Sequence, residues 1–261
     1  MFAAVTLGDV SIADATIEHV VEDVESLNRR ARSGEFEVSC VSAATYALVA
    51  DRYRLCDVGA SMVRAHGPVL VARAAIDLRD VPDKVVAIPG SHTTASLLLR
   101  LYTADEPALI EVPSDKILEA VLDGQADLGV LIHEGDLAYR ARGLVGVLDF
   151  ADAWRRDTDL PLPLGVTIVR RDLDEEVQRR ISRAFRDSIR WARANLDDAL
   201  AHARRFARGM DEATCREFVL TRVDDHALTL EVAGHAALER LYAEAHRRRL
   251  VAATPPLDAV S

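Results

Sequence analysis

The sequence predicts an α/β fold built as two lobes with a cleft between them, and three observations carry that expectation. Apolar runs such as Val85–Ile88 and Leu128–Ile132 are short and lack polar alternation, which is how strands covered on both faces read. Segments with helical spacing separate the runs, and strands alternating with helices imply a mostly parallel sheet. From Asp174 onward the chain reads as helix alone. It therefore leaves one lobe, builds a second, and returns to finish the first. The expected division is residues 1–76 with 166–261 as lobe I and 77–165 as lobe II.

Local signals place the elements in order. A helix starts at Phe2 and stops at Gly8-Asp9, Ala15–Val20 reads as a strand, and a helix over Val24–Arg32 is closed by Gly34 in the left-handed position. Glu35–Val41 alternates as a strand that Ser42 ends, and a helix follows through Tyr46, Leu48 and Asp51. Asp57–Ser61 is a short strand or turn, and Gly67–Arg73 a strand entered through Pro68. Pro89-Gly90 breaks the Val85–Ile88 strand, and Ser91–Thr94 is a polar loop opening a helix over Ala95–Tyr102. Leu109–Val112 is the next strand. Ser114 reads as the N-cap of a helix over 115–122, where Ile117, Leu118, Val121 and Leu122 share a face, and Gly124 ends it. After the Leu128–Ile132 strand, a helix start at Asp136, a strand over Val145–Phe150, a crossing segment Leu160–Leu164 and a returning strand Gly165–Val169 are expected. Helices follow at Glu175–Ala194, Leu196–Ala207, Glu212–Leu220 and Gly234–Arg248. Asp224 and Asp225 either reach the cleft or terminate a helix, and the tail 253–261, with Pro255-Pro256, reads as frayed.

Composition narrows the classes. With 261 residues, 49% hydrophobic and 28% charged, the chain can bury one large core or two. A net charge of −10 argues against nucleic acid as a partner. The clusters Arg179-Arg180 and Arg247-Arg248-Arg249 read as solvated helix faces. Cys40, Cys56 and Cys215 are odd in number and without a CxxC pair, so neither a disulfide framework nor a zinc knuckle is expected, and a reducing cytoplasm fits. There is no leader-like start, and no apolar stretch approaches the roughly 20 residues of a membrane span. The expected partner is a small anionic molecule; oligomeric state is not set by these features.

Chemistry points to strand ends. His133 follows the Leu128–Ile132 run, and ligands of open α/β sheets collect at the carboxyl ends of strands. An imidazole there is either a proton-transfer group working near neutral pH or a buried histidine bonded to backbone. Ser91–Thr94 opens a helix, whose free N–H groups bind anions, and Thr93 and Thr94 add hydroxyls; the alternative is that one threonine only caps its helix. His92 reads as a solvent-facing loop histidine. Ser42 occupies the matching place in the other lobe, where alone it would be a helix cap. Ser61 and Gly67 are weaker candidates for the cleft wall. No HxxxH, HExxH, GxGxxG, P-loop or GxSxG pattern occurs, so no metal, nucleotide cofactor or nucleophilic triad is expected. What remains is acid–base chemistry on an anionic organic substrate, or binding without chemistry.

Several blocks are familiar. Glu22–Asn28, Gly34–Val38, Gly67–Ala72, Pro89-Gly90 with Thr93–Ala95, Asp115–Val121, Gly124–Gly129, Leu131–Gly135 and Leu160–Gly165 together resemble the 1,4-dihydroxy-6-naphthoate synthase family of the futalosine route to menaquinone. The resemblance covers roughly residues 1–250. It implies a type II periplasmic-binding-protein-like fold used by a cytoplasmic lyase that converts cyclic dehypoxanthine futalosine to 1,4-dihydroxy-6-naphthoate. It further implies His133 as proton acceptor and substrate contacts at Val41, Ser42, Thr93 and Thr94. A chorismate dehydratase of the same pathway, and a small-carboxylate binding protein inside the cell, are the alternatives. Two departures stand out. Cys40 replaces a lysine or similar polar residue. The family's opening strand and Ser-Pro-x-Pro-Asn-Asp-Thr-Phe turn are also missing, from which a start downstream of the native one is expected.

Overall fold

The computed structural model describes residues 1–132, 139–206, 212–222 and 227–261. The expected base His133, the helix start at Asp136, and Asp224 and Asp225 lie outside the described residues. In chain order the elements are α1 (Ala3–Leu7), α2 (Val24–Ser33), β1 (Val38–Ser42), α3 (Ala43–Val49), β2 (Tyr53–Cys56), β3 (Ser61–Val63), β4 (Val69–Ala72), β5 (Val85–Ile88), α4 (Thr94–Tyr102), β6 (Ala108–Glu111), α5 (Ile117–Leu122), β7 (Leu128–Leu131), β8 (Val145–Asp149), α6 (Phe150–Thr158), β9 (Leu162–Arg170), α7 (Glu175–Ala194), α8 (Leu196–Arg204), α9 (Glu212–Arg222), α10 (Glu231–Arg247) and β10 (Ala259–Val260).

The strands form two five-stranded sheets. One runs β1-β9-β2-β10 with β3 also on β9, and the other runs β6-β5-β7-β4-β8. One buried core cluster spans both: Val41 and Leu55 from the first share it with Leu70, Val86, Ile88 and Val130 from the second. Strand β4 lies in the second sheet and β9 enters the first at Leu162. The sheets thus change hands at other residues than the expected lobe boundaries of 76 and 166.

The expectation of mostly parallel pairing is corrected. Among the described residues five of eight pairings are antiparallel, and only β5 with β6, β5 with β7 and β2 with β10 are parallel. The reason lies in the segments that pass between the sheets. β9 absorbs both the crossing segment and the returning strand into nine residues, and it runs against β1, β2 and β3. β4 likewise runs against both its neighbours.

Other differences are local. Ala15–Val20 has strand alternation but forms no strand, since alternation needs a paired neighbour. This segment and β1 both line a cavity of about 720 Å³. Ser114 opens a short 3₁₀ turn and caps nothing; α5 begins behind it at Ile117. Phe150 starts a helix, with Asp149 as its cap, where a strand end was expected.

The tail is not frayed. Ala259 and Val260 pair in parallel with Leu55 and Cys56. Val260 is buried, and its carbonyl accepts from Ser182 Oγ at 3.0 Å and from Asp57 N at 2.8 Å. Asp258 takes a two-pronged bond from Arg171 at 2.7 Å each, and Tyr46 Oη donates to Pro256 O at 2.6 Å. Two prolines suggested disorder, but they also lower the entropy that docking must overcome.

The hydrogen bonds from Arg171 hold the Asp258 carboxyl below the ordinary carboxylate range. A lowered folded value stabilises above the unfolded value of about 4, and that stability is lost as pH falls through the folded one. NMR shifts of the Val260 methyls should therefore stay at docked values down to about pH 4 and move toward coil below it. Val260→Ala should cost about 2 kcal/mol in urea unfolding; coil shifts at neutral pH, or no loss, would mean the tail is loose.

Candidate functional site

The site is organised by α2. Asp23 caps it by accepting from Ser26 N at 3.0 Å, and Gly34 closes it with φ of 74°. Glu25 and Asn28, three residues apart, share one helix face and are 5% and 0% exposed. A buried carboxylate is stable only where donors replace its water. Glu25 has four: Asn28 Nδ2 at 3.3 Å, Arg29 Nε at 3.2 Å, His92 N at 3.2 Å and His92 Nδ1 at 2.6 Å. The tautomer of His92 follows from its other side. Nε2 lies 2.6 Å from Arg32 Nη1, a group that only donates, so Nε2 accepts and Nδ1 carries the proton toward Glu25.

The loop between β5 and α4 is gripped from a second direction. Ser91 N and Oγ both donate to Glu111 Oε1, at 3.0 and 2.5 Å, and these bonds, the hydroxyl's first, hold the Glu111 carboxyl below its ordinary range. Arg29 bridges the two acids, its Nε on Glu25 and its Nη2 on Glu111. Gly90 is required here. Its φ is 147°, and a Cβ would stand 2.4 Å from the Glu25 carboxyl group.

The two expected ligand-binding turns meet. Val41 and Ser42 end β1, where Ser42 pairs with Gly165, and both are buried. Ser42 N donates to Asn28 Oδ1 at 2.8 Å, and Ser42 Oγ accepts from Asn28 Nδ2 at 3.1 Å. Ala44 N donates to Thr94 Oγ1 at 3.2 Å, and Thr45 Oγ1 donates to His92 O at 2.9 Å. The hydroxyls of Thr93 and Thr94 are otherwise engaged. Thr93 Oγ1 accepts from Ser96 N as the α4 cap and donates to Gly90 O, while Thr94 Oγ1 donates to Leu164 O at 2.7 Å. The N–H groups of Thr94 and Ala95, as the first two helical residues, have no carbonyl partner inside α4.

The carboxyl end of β7 reaches the same neighbourhood. Its parallel register with β5, Val86 opposite Leu128 and Ala87 opposite Gly129, carries Leu131 alongside the Ile88–Gly90 end of β5. Ser61 lies in β3 opposite Gly165. Gly67 packs on Ala151, which a Cβ would meet at 2.7 Å. The 720 Å³ cavity is elsewhere, walled by residues such as Phe2, Val38 and Phe185.

With this geometry the chain can be set beside known proteins. The profile of a menaquinone biosynthesis family matches residues 1–247. The chain belongs to this menaquinone biosynthesis family. A Thermus thermophilus member named 1,4-dihydroxy-6-naphthoate synthase is 39% identical over 98% of this chain and 92% of its own length. A Streptomyces coelicolor protein of the same name is 32% identical over the same shares. A crystal structure of an Archaeoglobus fulgidus protein superposes with a TM-score of 0.90 at 43% identity, covering 96% of this chain and 93% of its own. The alkanesulfonate-binding protein of Xanthomonas axonopodis, at 10% identity, superposes with a TM-score of 0.62 over 91% of this chain and 83% of its own. At that identity the likeness establishes the fold, and this family member has the two-lobed periplasmic-binding-protein architecture. Among its described residues no helix is long and apolar enough to cross a membrane.

Sequence reading missed Glu25 and Asn28 as contributors, and it left His92 in solvent. His92 is instead mostly covered, its side chain 20% exposed. The available signal was two polar residues at helical spacing inside a block that resembles the family. Gly90→Ala should lower unfolding stability by about 2 kcal/mol or more, because the new methyl displaces Glu25 and forces an unfavourable φ. Urea denaturation measures this; an unchanged midpoint would mean that Glu25 does not hold this place.

Proposed function

We propose that this chain catalyses the conversion of cyclic dehypoxanthine futalosine to 1,4-dihydroxy-6-naphthoate, acting as a carbon–carbon lyase in the cytoplasm with His133 as general base. Its membership of the menaquinone biosynthesis family, with two relatives named 1,4-dihydroxy-6-naphthoate synthase matched over nearly the whole chain, is the observation that carries this reading. The three cysteines are free, in keeping with a reducing compartment.

The roles follow from physical chemistry. The substrate's acid group sits between the Val41-Ser42 turn and the start of α4. There it accepts from Ser42 Oγ and from the N–H groups of Thr94 and Ala95, whose positive helix end favours an anion. Thr93 and Thr94 contribute by shaping this helix start, since their hydroxyls bond within the protein. The base is neutral imidazole, the form able to take a proton. The lobe division is 1–76 with 166–261 against 77–165, with β4 exchanged into the second sheet and β9 joining the first from Leu162.

Incubating the purified protein with cyclic dehypoxanthine futalosine should yield 1,4-dihydroxy-6-naphthoate, detected by mass spectrometry. His133→Asn should lower kcat by about 10²-fold or more while leaving substrate affinity nearly intact. Retained turnover in the variant would remove His133 from the role. Binding without product in the unmutated protein would instead support a carboxylate-binding protein, and turnover of chorismate would point to the dehydratase.

A further inference from the structure

Asn28 is fully buried, lies outside the roles assigned so far, and touches the Ser42 turn at two atoms. Its amide orientation is forced by its neighbours. Ser42 N can only donate, so Oδ1 faces it at 2.8 Å. Nδ2 then faces Ser42 Oγ at 3.1 Å and Glu25 Oε2 at 3.3 Å, which uses both of its hydrogens. Flipping the amide would oppose N–H to N–H at Ser42 and oxygen to carboxylate at Glu25. The Glu25 carboxylate is in turn held by Arg29 and by both nitrogens of His92 that face it.

This orientation decides what the Ser42 hydroxyl does. A serine hydroxyl has one hydrogen and two lone pairs. With Nδ2 donating to it, Oγ is an acceptor toward Asn28, and its own hydrogen points to another partner. Among the described residues no acceptor takes that hydrogen, although Ser42 is only 3% exposed. A buried donor without an acceptor is costly unless a ligand supplies one.

We propose that Asn28 is a positioning residue: anchored by Glu25, its amide turns the Ser42 hydroxyl so that its hydrogen is presented to an anionic oxygen of the substrate. The inference rests on the substrate contact proposed for Ser42. In the reverse arrangement the hydroxyl would donate to Asn28 and offer the substrate only lone pairs, which repel an acid group.

A double-mutant cycle tests this, with steady-state kinetics on cyclic dehypoxanthine futalosine. In Asn28→Asp the shape is kept and Ser42 N retains an acceptor. The new carboxylate, however, draws the Ser42 hydrogen toward itself. KM should rise about tenfold with kcat little changed, as for loss of binding common to ground and transition states. Ser42→Ala should raise KM by a similar factor. The double variant should be no worse than Ser42→Ala alone, because both changes remove the same hydrogen bond. If Asn28→Asp does not fold, Asn28→Ala takes its place in the cycle with the same expectation. Multiplying effects, or a KM that rises in Ser42→Ala but not in Asn28→Asp, would overturn the positioning role and leave the Ser42 contact standing. An unchanged KM in Ser42→Ala would overturn both. A wild-type chain inert toward this substrate would overturn the proposed function and this inference with it.

Discussion

A carboxylate buried between two sheets has to be supplied with hydrogen-bond donors, and Glu25 draws its donors from both sides of the seam. Asn28 and Arg29 come from its own helix, next to the first sheet, and the His92 backbone and ring come from the loop that leaves β5 in the second. Losing any one of them would leave part of a charge unpaired in an interior, a cost of the order of 1–3 kcal/mol. The arrangement therefore holds the loop and the helix to one another more strictly than apolar packing alone, which tolerates sliding. Gly90 makes this approach possible by having no side chain where the carboxyl group lies. Ser91 and Glu111 brace the loop from the outside.

Around that anchor the strand-to-helix turns of the two sheets come into direct contact. The backbone of α3 donates to Thr94, and Thr45 donates to the carbonyl of His92. Thr94 reaches on to β9, the long strand on which the chain passes from the second sheet to the first. The starts of α3 and α4 and Ser42 thus lie together near the carboxyl end of β7. In sequence, the segment carrying His133 continues directly from that strand.

Much of the fold was legible because local chemistry and tertiary structure agree. The runs at Val85–Ile88 and Leu128–Leu131, the Gly34 and Gly124 stops and the full length of Glu175–Ala194 all follow from apolar periodicity and backbone freedom. Pairing direction was not legible, since periodicity says that a strand exists but not which way its neighbour runs; β4 and β9 reversed the expectation. Ala15–Val20 and the tail erred in opposite directions for one reason. A strand depends on partners remote in sequence, which the first lacks among the described residues and Val260 finds at Cys56. At the site, the turns at Ser42 and Thr93-Thr94 were visible as strand ends before helices. Glu25 and Asn28 were not, because a polar pair on a short helix reads as solvent-facing until the structure shows what covers it.

Where an aromatic carboxylate binds is decided most directly by a crystal structure of the complex with 1,4-dihydroxy-6-naphthoate. The predicted result is a carboxylate within hydrogen-bond distance of Ser42 Oγ and of the Thr94 and Ala95 N–H groups, with Asn28 and Glu25 unmoved. A ligand seated instead in the cavity beside Phe2 and Val38, with the Ser42 turn empty, would contradict it.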